Sequence, residues 1–131
     1  MIKEISLSTS RRNELIDVTK EIKEIIKQSK IKQGICVVYC LHTTAGITIN
    51  ESADPDVQRD ILVNLSKLIP KDGDYQHSEG NSDAHIKSSL IGASEILIIK
   101  DNSLILGTWQ NIYFAEFDGP RQRKVIVKII N

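Results

Sequence analysis

Residues 95–130 read EILIIKDNSLILGTWQNIYFAEFDGPRQRKVIVKII, and this stretch decides the fold class. Its runs of isoleucine, valine, tyrosine and phenylalanine are typical of β-strands, and polar or glycine-containing turns separate them. EILIIK and SLIL flank Asp101-Asn102, which is a hairpin turn signal, and NIYFAEF and RKVIVKII follow as further strands. The stretch therefore predicts antiparallel strands that form the scaffold of the domain.

The residues before this scaffold mix strands with helices. Residues 2–8 predict an edge strand, and residues 19–29 predict an amphipathic helix. ICVVYCL, residues 35–41, is a continuous apolar run suited to a central strand. Asp54-Pro55 predicts a helix start, because aspartate caps and proline at the first position has no amide hydrogen bond to lose. Pro70 ends this helix.

A further short helix is predicted in HIKSSLIG, with Ser82 or Asp83 as its cap and Gly92 at its end. A chain of 131 residues fits a single domain, residues 1–131. We expect an α+β, strand-rich, antiparallel β-sandwich-like domain with two or three short helices. Strands alternate with helices only in the first half, so a doubly wound parallel sheet is the weaker interpretation.

Composition narrows the class of protein. Lysine plus arginine equals aspartate plus glutamate at 17 each, so no basic footprint for nucleic acid is expected. No apolar run approaches the roughly 18 residues that cross a bilayer, and the N-terminus lacks a signal-peptide core. In a strand Cys36 and Cys40 lie roughly 13 Å apart, too far for a disulfide. We therefore expect a cytoplasmic protein with reduced cysteines and no membrane partner.

The polar loop HSEGNSDAH, residues 77–85, holds two of the three histidines. The third, His42, closes the apolar run that predicts a central strand. Three imidazoles on one point suit zinc better than magnesium, which prefers oxygen ligands. The hypothesis is a divalent metal site, with zinc as the metal, held by His42, His77 and His85. The alternative is that each histidine is structural or exposed.

Acidic residues near these histidines are candidates for acid–base chemistry or for orienting the ligands. Glu51, Glu79 and Asp83 fit this description, since a carboxylate often accepts the second ring N–H of a ligand histidine. Asp83 also fits a helix cap, and Glu51 a surface ion pair. Cys40 shares a strand face with His42 and could supply a thiolate, although a core thiol is the more common fate.

Two other places carry candidate ligand-binding residues. Trp109 and Gln110 could wall a pocket and bind polar ligand atoms, and a core tryptophan beside an incidental glutamine is the alternative. Arg121 and Arg123 follow a turn and could bind phosphate through charge-assisted hydrogen bonds. Two exposed arginines after a turn are the alternative there.

Three motifs resemble the secondary thiamine-phosphate synthase family, also described as YjbQ-like. They are HTTAGITINESADPDVQRDI (42–61), YQHSEGNSDAHIKSSLIG (75–92) and LGTWQNIYFAEFDGPR (106–121). The resemblance covers nearly the whole chain and implies a β-sandwich-like subunit, a homotrimer and a metal site at the three histidines. It also implies a weak transferase activity that joins hydroxymethylpyrimidine diphosphate to a thiazole phosphate.

The function therefore has three candidate forms. The first is a metal-binding enzyme acting on phosphorylated small molecules, in which Glu51 or Asp83 tunes the metal and Arg121 steers the phosphate. The second is a metal-dependent hydrolase that uses the same pocket. The third is a non-catalytic module that binds a metal or a ligand. An open metal position favours an enzyme, and a fourth protein ligand such as Cys40 favours the module.

Overall fold

The computed structural model describes all of residues 1–131. The chain forms eight strands and three helices. In chain order they are β1 (Ile2–Ser8), β2 (Glu14–Asp17), α1 (Thr19–Ser29), β3 (Gln33–Cys40), β4 (Ala45–Glu51), α2 (Pro55–Leu68), α3 (Ser82–Ile91), β5 (Ser94–Lys100), β6 (Ser103–Leu104), β7 (Gln110–Glu116) and β8 (Gln122–Ile130).

The strands form two antiparallel sheets. One has five strands in the order β1-β8-β3-β5-β6, and the other has three in the order β2-β7-β4. Strand β3 is central, as its apolar run predicted, because it pairs with both β5 and β8. The prediction of a strand-rich α+β domain with packed antiparallel sheets is confirmed.

The main core lies between the two sheets. Ile112 and Phe114 on β7 pack with Val38 on β3 and Val127 on β8, and all four side chains are buried. Helix α1 closes one side through Ile22 and Ile26, which lie four residues apart on one helix face. Burying each aliphatic side chain contributes roughly 1.5–3 kcal/mol, so this layer holds the sheets together.

A second, smaller core lies on the opposite face of β7. Ala115 and Phe117 pack there against Leu65 of α2 and Ala84 of α3. The three-stranded sheet is therefore covered on both faces, by the large sheet on one side and by α2 and α3 on the other. This arrangement brings the start of α3 beside the turn that joins β7 to β8.

Helix α2 begins as the sequence predicted. Asp54 Oδ1 accepts a hydrogen bond from the N–H of Asp56 at 2.9 Å, and Pro55 occupies the first helical position. The Asp101-Asn102 hairpin turn is also confirmed, since both residues have positive φ angles of 52° and 59°. None of the three helices is both long and apolar enough to span a membrane.

Helix α3 differs from its prediction at the start. It begins at Ser82, three residues before HIKSSLIG, and Asn81 occupies the cap position in place of Ser82 or Asp83. Asp83 is buried and binds Arg12 instead of capping. Gly92 ends the helix as predicted. Residues 81–83 are polar and were therefore predicted as loop and cap. In the structure Asn81 and Asp83 bind distant parts of the fold instead.

Candidate functional site

An open cavity of about 330 Å³ lies where β3 ends, α3 begins and β7 turns into β8. This volume suits a small ligand. Five candidate residues from separate parts of the sequence line it, namely His42, Glu79, His85, Arg121 and Arg123. The full lining is Leu41, His42, Thr43, Thr44, Glu79, Asn81, His85, Asp118, Arg121 and Arg123.

A buried ion pair links Arg123, which lines this cavity, to Glu116, which does not. Glu116 is fully buried, and its carboxylate accepts hydrogen bonds from Arg123 Nε at 2.8 Å, from Arg123 Nη2, and from Thr9 Oγ1 at 2.6 Å. Burial raises the pKa of Glu116, but these hydrogen bonds outweigh it and leave the pKa below its ordinary value. Arg123 Nη1 has no acceptor within the chain.

His42 presents a fixed tautomer to the cavity. Its Nε2 accepts the backbone N–H of Lys124 at 2.9 Å, so that nitrogen carries no proton. Burial first, and then the nearby charge of Arg123, lower the pKa of His42. The ring is therefore neutral at pH 7, and its proton lies on Nδ1. That N–H is a hydrogen-bond donor without an acceptor in the chain.

Asp118 joins the β7–β8 turn to the start of α3. Its Oδ2 accepts from Asn81 Nδ2 and from Arg121 Nη2, both at 2.9 Å. Burial raises the pKa of Asp118, while the hydrogen bonds from Asn81 and Arg121 and the charge of Arg12 bring it below its ordinary value. Arg121 also donates from Nε to the Asp118 carbonyl at 2.8 Å. The Nη1 group of Arg121 has no acceptor in the chain.

Asp83, a predicted catalytic residue, lies beneath the cavity and does not line it. It is 1% exposed, and its carboxylate lies 2.9 Å from Arg12 Nη2 and 3.5 Å from Lys87 Nζ. Lys87 is equally buried and donates to Asn13 and Ser66. Burial lowers the pKa of Lys87. This network fixes α3 against the loop between β1 and β2 and against α2, and so holds the cavity wall.

His85 and His77 lie edge to face, with ring centroids 5.3 Å apart. His85 lines both the cavity and a neighbouring cleft of about 420 Å³, whereas His77 lines only the cleft. His77 Nε2 lies 3.9 Å from Glu79 Oε2, and Glu79 lies at the cavity rim. His85 therefore lines the cavity with an imidazole whose two ring nitrogens make no hydrogen bond within the chain.

The predicted metal site is wrong. The structure brings no group of three histidine, cysteine, aspartate or glutamate side chains into an arrangement that could hold a metal ion. The physical reason at His42 is that the Nε2 lone pair is occupied by the Lys124 N–H, while Nδ1 carries the proton. Cys40 is no substitute ligand, because burial raises the pKa of its thiol. The prediction of a zinc-binding protein is corrected accordingly.

Three further candidate residues lie away from the cavity. Glu51 ends β4 and pairs with Gln110 at the start of β7, seven positions or roughly 20 Å along the strand from Thr44. Trp109 is 60% exposed. Gln110 Oε1 accepts the N–H of Gly107 at 2.8 Å and so closes a local turn. The structure does not bring this group together with His42, His85 and Arg121.

The residues that sequence reasoning missed are Asn81, Asp118 and Glu116. Glu116 carried a signal, because it is the one charged residue inside the apolar strand NIYFAEF and is therefore a candidate for a buried, paired acid. Asn81 and Asp118 carried none, since asparagine and aspartate are ordinary residues of polar loops.

Comparison with known proteins decides the family. The family model described as UPF0047 protein YjbQ-like matches residues 3–131. The chain belongs to this family. The UPF0047 relative from Methanocaldococcus jannaschii is 58% identical over 130 residues, 99% of this chain and 94% of that protein. UPF0047 protein YugU of Bacillus subtilis is 47% identical over 131 residues, 99% of each chain.

Solved UPF0047 structures share the fold. The crystal structure of an uncharacterized conserved YjbQ/UPF0047 protein from Clostridium acetobutylicum is 62% identical, with a TM-score of 0.96. It covers 98% of this chain and 99% of that one. The descriptions of these relatives name only the UPF0047 family and give no support for a thiamine-phosphate synthase activity. The predicted transferase function is therefore corrected, and only the YjbQ-like part of the resemblance is confirmed.

Proposed function

We propose that the cavity binds a small phosphorylated molecule without a metal ion. The observation that carries this proposal is that three residues lining one cavity each have an N–H group without an acceptor in the chain. They are His42 Nδ1, Arg121 Nη1 and Arg123 Nη1, all on residues that line the cavity. Guanidinium groups bind phosphate oxygens through short, charge-assisted hydrogen bonds.

Directed hydrogen bonds, not net charge, drive this binding. The lining holds two arginines and two acids, and each arginine is already paired with a carboxylate, Arg121 with Asp118 and Arg123 with Glu116. The pairs hold the two guanidinium planes in place before a ligand arrives. A ligand therefore gains the hydrogen bonds without first ordering two long side chains, which lowers the entropy lost on binding.

His85 supplies the proton chemistry of this proposal. Its imidazole lines the cavity and has free ring nitrogens, whereas His42 is fixed as a neutral donor. We assign His85 as the general acid or base of a metal-independent reaction on the ligand.

Calorimetric titration with propyl phosphate tests the binding. Replacing Arg121 by methionine removes the guanidinium group from a residue that lines the cavity and should weaken binding about tenfold or more. Lys124→Met is the matched control, since it removes one exposed positive charge nearby from a side chain outside the cavity. Equal losses in both variants, or no binding by the wild type, would refute the proposal.

Proton uptake tests the part assigned to His85. Wild type and His85→Gln should differ in the number of protons exchanged on binding propyl phosphate at pH 7, measured as the dependence of the calorimetric enthalpy on the ionisation enthalpy of the buffer. The ester itself has a second pKa of about 6 and contributes to proton exchange in both proteins, so the difference between them reports on His85. Unchanged uptake in this variant would show that another group carries the proton.

We also propose that the protein is a homotrimer, and that copies of the chain cover the outer face of the five-stranded sheet. The register places Ile35 between Ile98 on β5 and Ile130 on β8, and all three are exposed. Tyr39 and Ile96 extend this apolar face. Such a contiguous exposed patch is typical of an interface.

Mass measurement in solution tests the homotrimer. Three chains of 14.7 kDa give a species of about 44 kDa, which light scattering after size exclusion can identify. Ile98→Lys should lower the mass towards that of one chain, because it places a charge inside the covered face. A wild-type mass of 14.7 kDa at micromolar concentration would refute the proposal.

A cytoplasmic location completes the proposal. It is supported by Cys36 and Cys40, which are both free, buried thiols, as expected in a reducing compartment. Fractionation of cells that express the protein at its native level tests the location, and recovery outside the cytoplasmic fraction would contradict it.

A further inference from the structure

The cavity and the outer face of the five-stranded sheet share an edge at Leu41. Side chains alternate along β3, so that the buried Val38 and Cys40 point inward and the exposed Tyr39 points to the outer face. Leu41 comes next in this alternation, is 50% exposed, and lines the cavity. One exposed leucine therefore belongs both to the apolar sheet face and to the cavity rim.

The pairing of β3 with β8 defines the same edge from the neighbouring strand. The ladder that pairs Cys40 with Val125 places Lys124 beside the end of β3. The side chain of Lys124 is 57% exposed between two buried neighbours, so it points to the outer face. The backbone N–H of Lys124 binds His42 Nε2, and His42 lines the cavity. The last row of the sheet face and the cavity are therefore in direct contact.

The apolar face needs a cover of the size of a subunit interface. The accessible surface of the chain is 7628 Å², whereas a compact monomer of 14.7 kDa exposes about 6,900 Å². The excess of about 700 Å² is close to the roughly 800 Å² that each partner buries in a standard interface. Ile96 and Ile98 add large exposed side chains to this face. A second copy of the chain therefore matches the area that the face leaves open.

A copy that covers this face also reaches the cavity. A standard interface of about 800 Å² per partner is a disc roughly 16 Å in radius. Val37 lies in the middle of the apolar face, where it pairs with Ile96 on β5 and with Lys128 on β8. Leu41 lies four residues further along the chain, about 13 Å from Val37 at the rise of a strand. The cavity rim therefore lies inside the covered area.

We propose that a neighbouring copy of the chain closes the cavity, so that the phosphate site lies at a subunit interface of the homotrimer. This inference rests on the proposed phosphate binding and on the proposed homotrimer, and it couples the two. The open cavity of a single chain leaves a bound phosphate in contact with bulk water. A copy over Leu41 excludes that water, and the hydrogen bonds from the arginines strengthen as the local dielectric constant falls. By reciprocity, the ligand also stabilises the assembly.

A variant that separates the subunits tests the coupling. Ile98 pairs with Ile35, which lies six residues or roughly 20 Å from Leu41, and Ile98 is outside the cavity lining. Ile98→Lys should give single chains that bind propyl phosphate about tenfold or more weakly than the wild type in calorimetric titration. The added positive charge by itself attracts a phosphate, so weaker binding cannot come from the charge.

Gln28→Lys is the matched control for this variant. It adds the same charge at an exposed polar position of α1, and it should stay trimeric and bind propyl phosphate like the wild type. Ile98 is 58% exposed in the single chain, so Ile98→Lys should also fold. Urea unfolding followed by circular dichroism confirms that both variants are folded before binding is compared.

Light scattering of the wild type supplies the reciprocal measurement without a variant of the sheet face. The protein is diluted until its mean mass falls below that of three chains, with and without saturating propyl phosphate. The ester should lower the concentration at which the trimer dissociates severalfold or more, because it binds the closed cavity more tightly. Arg121→Met, which binds the ester weakly, should show little of this shift.

The outcomes separate this inference from the two proposals beneath it. If the wild type is trimeric and binds propyl phosphate, equal binding by single chains of Ile98→Lys would overturn the shared site alone. A dissociation concentration that the ester leaves unchanged would also overturn it. A trimeric Ile98→Lys would show that the interface lies elsewhere and would overturn the shared site. No binding by the wild type would overturn phosphate binding, a wild-type mass of one chain would overturn the homotrimer, and the inference falls with either.

Discussion

Replacing Arg123 by methionine should destabilise the protein by roughly 3–5 kcal/mol, the usual result of removing one partner from a buried ion pair. The side chain of Arg123 is 4% exposed and that of Glu116 is fully buried, so solvent screens this pair little and methionine leaves the carboxylate without its cation. Glu116 would keep hydrogen bonds from Thr9 Oγ1 and from the N–H groups of Phe117 and Asp118. A small domain has only about 5–15 kcal/mol in total, so the effect is large.

Arg121→Met is the matched control for this prediction. Arg121 lies two residues away and also pairs with a carboxylate, but its side chain is 53% exposed. An exposed ion pair contributes about 0–1 kcal/mol, so this variant should unfold almost like the wild type. Urea denaturation followed by circular dichroism at pH 7 measures both free energies of unfolding, provided that the slopes against urea agree.

The pH dependence gives a second check on Arg123→Met. The pKa of Glu116 in the folded wild type is below its ordinary value of 4.5, so its contribution is present above pH 4.5 and is lost as the pH falls through the lowered pKa. Loss of the Arg123 hydrogen bonds and charge raises the pKa of Glu116 relative to the wild type. The free-energy gap between variant and wild type should then narrow towards pH 4. A gap that does not narrow, or arginine variants that differ by less than about 1 kcal/mol, would refute the reasoning.

Two further predictions concern packing and pH. Gly119→Ala should destabilise the protein strongly, because the added Cβ would collide with the backbone oxygen of Arg11. Gly80→Ala meets no atom nearby and should cost only about 1 kcal/mol, because of the positive φ at that position. Thermal unfolding measures both variants, and equal falls in melting temperature would contradict this prediction. The lowered pKa of His42 means that the unfolded chain binds a proton below pH 6.5 more readily than the folded protein does, so the wild type loses stability as the pH falls. His42→Gln lacks this group and should therefore lose less stability than the wild type between about pH 7.5 and 5. Parallel curves of unfolding free energy against pH would contradict this prediction.

Much of the fold could be predicted because local signals agree with it. The apolar runs of β3, β5 and β8 pair as strands, and Asp54-Pro55 starts α2 as their chemistry requires. The start of α3 was misplaced, because Asp83 fits a cap by type but is drawn into the buried network with Arg12 and Lys87. A local pattern cannot show a partner that lies 71 residues away.

The candidate site could be predicted in part. His42, His85 and Arg121 do meet at one cavity, although they come from three separate segments. Their chemistry could not be predicted, because the metal hypothesis assumed free ring nitrogens at His42. Only the folded register reveals that the Lys124 N–H occupies Nε2.

A crystal structure of the protein grown with propyl phosphate tests the central claim most directly. We predict phosphate oxygens about 2.7–2.9 Å from guanidinium nitrogens of Arg121 and Arg123, with no metal ion between them. An ester bound elsewhere, or a phosphate that reaches the cavity only through a metal ion on the histidines, would contradict this prediction.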